Sequence, residues 1–315
     1  MKEKVILSIV TPTTGKYSEY WLEQLLKVKG NVEFVLVYYP NIPIRPVDDP
    51  RVKILTSPYK GEMMQRFVGL LNASGEYVLA LDDDDFVHPD IENLTGEYFK
   101  RFPESWILRL KKENIDFKDE ERIKKDWGEI PDVAQLDICK KTPENPYPYQ
   151  QGNYTGLLEI PVVPLDNQFD LRYAVLPFTG RKDNLGYHFE NFNNIVWKNE
   201  LVQKALTDLS QATKVLGAVT WIPSTGFDRL LGLFVQAKFF QKDAIIGHWM
   251  PKPEQIRYID KPPGLKPPRF HVISDALLVK QYPQYGYLWN LVIEKLYGVP
   301  RTLAKTVKWK FLEKR

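Results

Sequence analysis

Short apolar runs alternate with segments of helical spacing through roughly the first hundred residues. Val5-Ile6-Leu7-Ser8-Ile9-Val10 is a strand candidate. From Glu19 to Val28, Trp21, Leu22, Leu25 and Leu26 fall on one face of a helix. Phe34-Val35-Leu36-Val37-Tyr38-Tyr39 and Val52-Lys53-Ile54-Leu55 read as the second and third strands. Gly61 to Asn72 reads as a helix and Tyr77–Leu81 as a fourth strand. Near-continuous apolar strands separated by helices predict an α/β fold, a mostly parallel sheet covered on both faces. Ligands of such sheets bind beyond the carboxyl ends of the strands. Thr11, Tyr38-Tyr39, Thr56-Ser57 and Asp82–Asp85 all fall at strand ends, so one cleft is expected to gather them.

Further along, Glu113 to Lys125 is highly charged and predicts a solvated helix. Lys141 to Gly152, rich in Pro and Tyr, predicts a loop. Leu157–Ile160 and Tyr173–Leu176 read as strands, and Asn199 to Leu216 as a helix. A second helix starts near Gly226-Phe227-Asp228 and runs to about Gln241. Pro262–Pro268 predicts a stiff linker or lid, and roughly the last forty residues a helical, basic tail. No repeat at solenoid periods is present.

At 315 residues the chain can bury a core as one large domain with elaborations. A net charge of +3 does not point to a nucleic-acid partner. Cys139 is the single cysteine, which excludes an internal disulfide and suits a reducing compartment. The first apolar run is too short for a signal peptide, and no run approaches the roughly 20 apolar residues of a membrane span. The expected location is cytoplasmic, with a membrane surface within reach of the tail.

Asp82-Asp83-Asp84-Asp85 closes the fourth strand. A strand that delivers several carboxylates to one point must neutralise them. A divalent metal shared with a phosphate is the usual solution. In an extended segment residues i and i+2 point the same way, so Asp82 and Asp84 are expected to share a direction. A charged turn with no ligand is the plain alternative.

The flanking residues resemble the family 2 glycosyltransferases of the GT-A fold. The matching elements, in order, are Ser8–Thr13, Glu33–Tyr39, the Gly-x-x-x-x-Arg-x-x-Gly helix from Gly61 through Arg66 to Gly69, and Ala73–Asp85 leading to the Asp-x-Asp motif. The resemblance implies a nucleoside-diphosphate-sugar donor and Mn²⁺ or Mg²⁺. It implies that Asp84 binds the metal, that Asp82 and Asp83 touch the ribose or a metal-bound water, and that Thr11 and Pro12 lie at the nucleotide. Residues 1–102 would then form the nucleotide-sugar half of the domain, 103–260 the acceptor half, and 261–315 the Pro-rich linker and tail. Arg66 aligns with the family's helix arginine and is expected at the acidic cluster or the diphosphate; an ordinary ion-paired arginine is the alternative. Its neighbours depart from the family's Ala-Arg-Asn, with Gln65 and Phe67 in place of Ala and Asn. The base-reading Asp of the family's Asp-Asp-Gly-Ser is missing, since Tyr38-Tyr39-Pro40-Asn41 stands there. Tyr38 either stacks on the base or belongs to the core.

An inverting transfer needs a base on the acceptor hydroxyl. The family's base opens a downstream helix, and Asp228 in Ser224–Leu231 matches that place, with Phe227 where the family has Glu. Asp228 as a simple helix-terminus carboxylate is the alternative. Asp183 and Glu190 are the reserve candidates. His248, between Gly247 and Trp249, reads as a cleft-facing turn. Some GT-A enzymes carry a further histidine ligand at this stage; a structural histidine is the alternative. Lys252 and Arg257 are close enough in sequence to assist at the diphosphate. Leu303, Val307 and Phe311 share a helical face opposite lysines, as in helices that lie on anionic membranes or pack on their own domain. The acceptor expected is a glycan or a lipid-linked molecule. A nucleotidyltransferase, a haloacid-dehalogenase-like phosphatase and a domain that binds sugar nucleotide without turnover are the competing classes.

Overall fold

The computed structural model describes residues 4–142, 154–183, 188–213, 226–260 and 270–313. The chain begins β1 (Leu7–Thr13), α1 (Glu19–Leu26), β2 (Val32–Tyr38), β3 (Val52–Thr56), α2 (Glu62–Leu71), β4 (Tyr77–Ala80) and β5 (Phe86–Val87). It continues α3 (Ile91–Arg101), β6 (Ile107–Arg109), β7 (Lys112–Asp116), α4 (Glu120–Lys124), β8 (Ile138–Cys139), β9 (Leu157–Pro161) and α5 (Leu171–Val175). Then follow β10 (Ile195–Lys198), α6 (Asn199–Thr213), α7 (Phe227–Lys238), β11 (Ile245–Trp249), β12 (Ile256–Asp260), α8 (His271–Gln281) and α9 (Gly286–Glu313).

One large sheet runs β3-β2-β1-β4-β10-β6-β11-β9-β8. β1 pairs in parallel with β2 and β4, and β2 with β3. β10 is inserted antiparallel between β4 and β6. β6 therefore runs in the same direction as β4, and β11 is parallel to β6. The carboxyl ends of β1, β2, β4 and β6 consequently open on one edge. The α/β class and the mostly parallel sheet expected from the apolar pattern are what the chain adopts.

Each face of the sheet has its own core. Val10, Val35, Val37, Trp197, Leu206, Leu230 and Phe234 belong to the layer under α2, α6 and α7. Ile9, Phe34, Leu36, Trp21, Leu94 and Tyr98 belong to the layer under α1 and α3. The alternation Val35/Leu36/Val37 feeds both layers, which is why the strands read as unbroken apolar runs. A small second sheet, β5-β12-β7, sits beside the end of β4.

Two segments differ from the expected elements. Glu113 to Lys125 is not one helix. Its start is β7, paired in parallel with β12 in the register Ile115↔Ile259, and Ile115 is fully buried. One apolar residue among alternating polar ones made an edge strand once a partner existed. Tyr173–Leu176 lies largely in α5, because the Asp170 side chain accepts from the Tyr173 N–H at 3.0 Å and caps a helix there. Most of the Lys141–Gly152 loop, the Ser224-Thr225 turn, the Pro262–Pro268 segment, the end of the Asn199–Leu216 helix and the last residues of the tail lie outside the described residues. No helix among the described residues is long and apolar enough to cross a membrane.

Candidate active site

α2 lies close on the sheet because Gly69 faces it: a Cβ there would come within 2.4 Å of Val10 Cγ1 and 2.9 Å of Val37 Cγ2. Four residues earlier on the same helix, Gln65 donates to the carbonyls of Thr13 at 2.9 Å and Val37 at 2.6 Å. It thereby satisfies backbone acceptors at the ends of β1 and β2. The next residue, Arg66, is aimed past the end of β4.

Arg66 is 1 % exposed and is surrounded by carboxylates. Its guanidinium contacts Asp82 Oδ1 at 2.5 Å, Glu62 Oε1 at 3.1 Å and Asp228 Oδ1 at 3.3 Å. It also donates to Asn193 Oδ1 at 2.5 Å, and the Asn193 amide in turn donates to Asp228 Oδ2 at 2.7 Å. Burial by itself would push the guanidinium pKa down. The carboxylates of Asp228, Asp82 and Glu62 outweigh burial and raise it, so the charge is firmly held. Asn193 reaches this point because Asn194 takes a left-handed conformation (φ 58°) just before β10. Asn is among the few residues that adopt it readily.

The acidic run is a turn, closed by the Asp85 N–H to the Asp82 carbonyl at 3.2 Å. Strand alternation stops at Ala80 and so does not set the directions of Asp82 and Asp84. Three of the four side chains have separate partners. Asp82 goes to Arg66, and Asp83 accepts from the Thr13 hydroxyl at 2.6 Å. Asp85 turns inward, accepting from the Ile259 N–H at 3.3 Å. Burial, with the nearby charges of Asp82 and Asp84, pushes its carboxyl up to about 8. Asp84 stands half-buried at the tip of the turn. Among the described residues no group of three or more His, Cys, Asp or Glu side chains is arranged to hold a metal. The donor set nevertheless fits a cation shared with a phosphate, since Mg²⁺-type sites commonly use one or two carboxylates and complete the shell from the substrate and water. The crowded negative charge that raises Asp85 is what such a cation would relieve.

Asp228 stands in the first turn of α7, at the wall of a cleft of about 420 Å³. Arg109, Lys112, Phe189, Asn193, Arg229 and His271 are among its other lining residues. The cleft abuts the Arg66 cluster through Asp228 and Asn193.

Searches of known proteins give a fold-level likeness. No protein-family model matches the chain, and no curated protein matches it. Crystal structures of S. aureus TarS residues 1–349 are similar in fold. One such structure has a TM-score of 0.44 at 14 % identity over 81 % of this chain. The complex with UDP-GlcNAc has 0.46 at 13 % over 82 %, and the complex with UDP 0.48 at 12 % over 88 %. The chain spans 60 %, 60 % and 65 % of the length of those three.

The expected site residues separate into two groups. Arg66, Asp82, Asp83, Asp84 and Asp228 come together at the open edge of the sheet. Thr11, Pro12, Tyr38 and His248 do not. Thr11 and Pro12 are buried in β1, and the contact with the acidic run is made by Thr13. Tyr38 is fully buried, with its hydroxyl 2.7 Å from that of Tyr17, so it belongs to the core. Tyr39 is the tyrosine near the site: burial, then the charges of Glu62 and Asp83, raise its pKa. His248 lies on β11, not in a turn, and its Nδ1 is 2.8 Å from the Tyr98 hydroxyl. Its ring packs on Phe102 at 4.4 Å in the layer under α3, away from the acidic turn.

The reserve carboxylates are committed elsewhere. Asp183 binds Arg181 at 2.7 Å and Asn290 of α9 at 2.8 Å. Glu190 accepts from Tyr287 of α9 and lies 3.4 Å from Arg229. Arg257 is a structural arginine: it donates to the carbonyls of Ile123, Lys125 and Asp126 and stacks on Trp127 at 4.0 Å. Sequence reasoning missed Asn193 and Thr13, and of the strand-end pair Tyr38-Tyr39 it put Tyr38 rather than Tyr39 at the nucleotide. Strand alternation past Tyr38 was the available signal for Tyr39. Asn193 had none beyond the Asn-Asn pair before a β-strand.

Proposed function

We propose that this chain is a metal-dependent GT-A glycosyltransferase that moves a sugar from a nucleoside-diphosphate sugar to an acceptor hydroxyl with inversion. The observation that carries the reading is the Arg66 bridge, which ties Asp82 of the acidic turn to Asp228 at the wall of a separate cleft. A donor-side carboxylate and an acceptor-side carboxylate are thus held on one buried cation. Asp228 takes the proton of the acceptor hydroxyl as that oxygen attacks the sugar. Asn193 and Arg66 fix its orientation, so the carboxylate is poised before the acceptor arrives. Asp84 would hold Mn²⁺ or Mg²⁺ with the donor diphosphate, and the ion would offset the charge of the leaving nucleoside diphosphate. Tyr39, beside Glu62 and Asp83, would be the aromatic group that meets the base.

The acceptor in this reading is a glycan or lipid-linked molecule. The second half of α9 supports work at the cytoplasmic face of a membrane: Leu303 and Val307 are 51 % and 55 % exposed, and Arg301 and Lys305 are exposed beside them. A domain that binds sugar nucleotide without turnover is the competing reading, and turnover separates the two.

The test is a thermal-shift and hydrolysis screen of nucleotide sugars with Mn²⁺, on the native protein and on Asp84→Ala. Native protein is expected to gain stability only with nucleotide and metal together and to hydrolyse the donor slowly. Asp84→Ala should lose both while remaining folded. Undiminished metal-dependent nucleotide binding by Asp84→Ala would overturn the assignment.

A further inference from the structure

Leu171 and Val175, one turn apart on α5, are 67 % and 68 % exposed. Leu176 follows, and then Phe178, which stands 84 % exposed in the single 3₁₀ turn Pro177–Thr179. Exposed apolar side chains scattered singly are ordinary, but these four crowd one short arm. The arm is firmly built. Asp170 caps α5, the Thr179 hydroxyl donates to the Leu176 carbonyl at 2.8 Å, and Arg172 donates to the Gly180 carbonyl at 3.3 Å. α9 holds it from the other side. Asn290 accepts from the Asp170 N–H at 2.7 Å, the Tyr297 hydroxyl donates to the Ala174 carbonyl, and the rings of Tyr173 and Tyr297 meet edge to face at 6.1 Å. Polar groups thus fix the inner side of the arm while apolar groups are held in water.

The exposed apolar surface continues on α9. Trp289, Leu296, Pro300, Leu303 and Val307 are all exposed. Their spacings of seven, four, three and four put them in one stripe along the helix. Tyr297, which joins α5 to α9, flanks that stripe, and Arg301 follows one turn later on the same flank. Charge along both segments has one sign. The sequence from Leu171 to Lys182 holds three cations and no Asp or Glu, and that from Lys295 to Leu312 holds five cations and again no Asp or Glu. The bordering carboxylates are engaged within the arm, Asp170 at the Tyr173 N–H and Glu294 at Arg181. Lys182, Arg301 and Arg172 are exposed, the last 3.9 Å from Asp170.

We propose that the α5 arm, with the outer stripe of α9, seats the protein on an anionic lipid bilayer. Val175 and Phe178 enter the acyl boundary, and Lys182, Arg301 and Arg172 meet the headgroups. An apolar face bordered by cations is the chemistry of elements that lie in a membrane interface. Tyr297 and Trp289 suit that depth, since a ring with a polar atom favours the boundary between lipid and water. A second copy of this chain fits poorly, because a two-fold contact through this face would set the same cations against one another. The inference extends the membrane reading of the second half of α9 to a separate element and needs no glycosyl transfer. Contact through two elements also fixes the tilt of the molecule on the surface.

Vesicle sedimentation tests it. The full chain, Val175→Ser/Phe178→Ser and Lys182→Gln are mixed with phosphatidylcholine vesicles, with and without phosphatidylglycerol. The substituted residues are exposed, so the variants keep the fold, which equal thermal melting checks. The native chain is expected to bind the phosphatidylglycerol vesicles and to leave them as salt rises. The double variant should bind at least about tenfold more weakly, and Lys182→Gln about fivefold. A second measurement places an environment-sensitive fluorophore through Phe178→Cys in a Cys139→Ser background, Cys139 being the only native cysteine. Its emission should shift to the blue on anionic vesicles and be quenched by brominated acyl chains. Equal vesicle binding by the native chain and the double variant, or an unshifted label on vesicle-bound protein, would overturn the inference and leave the tail as the anchor. Failure of the native chain to bind anionic vesicles would remove both. A native dimer that the double variant dissociates, with vesicle binding unchanged, would assign the patch to a protein contact instead.

Discussion

Phe67 and Phe227 meet edge to face, with ring centroids 6.3 Å apart and planes at 73°. Each follows or precedes a site residue, Arg66 on α2 and Asp228 on α7. They are also two of the positions where the sequence departs from the pattern it resembles, carrying Phe in place of Asn and of Glu. The two departures are therefore one contact: an apolar pair locks the two helices and brings the arginine and the carboxylate together. A double-mutant cycle on Phe67→Ala and Phe227→Ala is expected to show a coupling of about 0.5–1.5 kcal/mol in urea unfolding. Additive effects would mean that the rings pack on third parties rather than on each other.

Arg66→Met should be among the most damaging single changes. It leaves Glu62, Asp82 and Asp228 facing one another around an apolar side chain. Removing one partner from such a buried ionic cluster costs about 3–5 kcal/mol. Chemical denaturation at neutral pH measures the loss. The deficit should shrink in acid, where the carboxylates take up protons. A loss under about 1 kcal/mol at neutral pH would show that the cluster is solvated in solution.

Asp228→Asn keeps the shape and removes the proton acceptor. Turnover is expected to fall at least about 10²-fold with donor affinity nearly unchanged. Glu190→Gln serves as the control, since Glu190 is bound to Tyr287 and Arg229 and should not alter the chemical step. An active Asp228→Asn beside an inactive Glu190→Gln would move the base.

His248 supplies a pH dependence of known sign. Burial, then the charge of Arg101, lowers its folded pKa from 6.5 to about 4. Between those values the unfolded chain holds the extra proton. The stability that neutral His248 carries is complete above about pH 6.5 and is lost as pH falls toward 4. The loss is on the order of 3 kcal/mol at most. Asp85 and Asp275 have raised pKa values and act in the opposite sense, so the difference between proteins is the informative quantity. His248→Gln, which keeps an acceptor for Tyr98, should lose less stability than the native protein between pH 6.5 and 4. Parallel curves would place His248 in contact with water.

Removing Leu303–Arg315 should weaken binding to anionic liposomes. Each lysine near such a surface contributes about 1 kcal/mol, and the attraction decays within a Debye length. Sedimentation with vesicles at two salt concentrations measures it. Equal binding by a folded truncated protein would assign the tail to packing.

Local sequence was enough for the first half of the sheet, because its signals are local. Unbroken apolar runs, the Gly-spaced α2 and the acidic run after β4 are each complete within a few residues. What the sequence left open depended on neighbours far along the chain. Asp82 goes to Arg66 and Asp85 inward because the run turns at the edge of the sheet. The side on which Tyr38 and Tyr39 lie was set by burial of the strand on both faces, which hides alternation. The start of Glu113–Lys125 became a strand because β12 offered Ile259 to Ile115, and only Glu120–Lys124 kept the expected helix. His248 looked like a cleft residue until β11 paired with β6 and β9 and turned its ring into the layer under α3. Most of all, Arg66 and Asp228 carry no mark of each other in sequence. Only the packing of α7 on α2 places them 3.3 Å apart, because a buried guanidinium gathers whatever carboxylates the fold brings within reach.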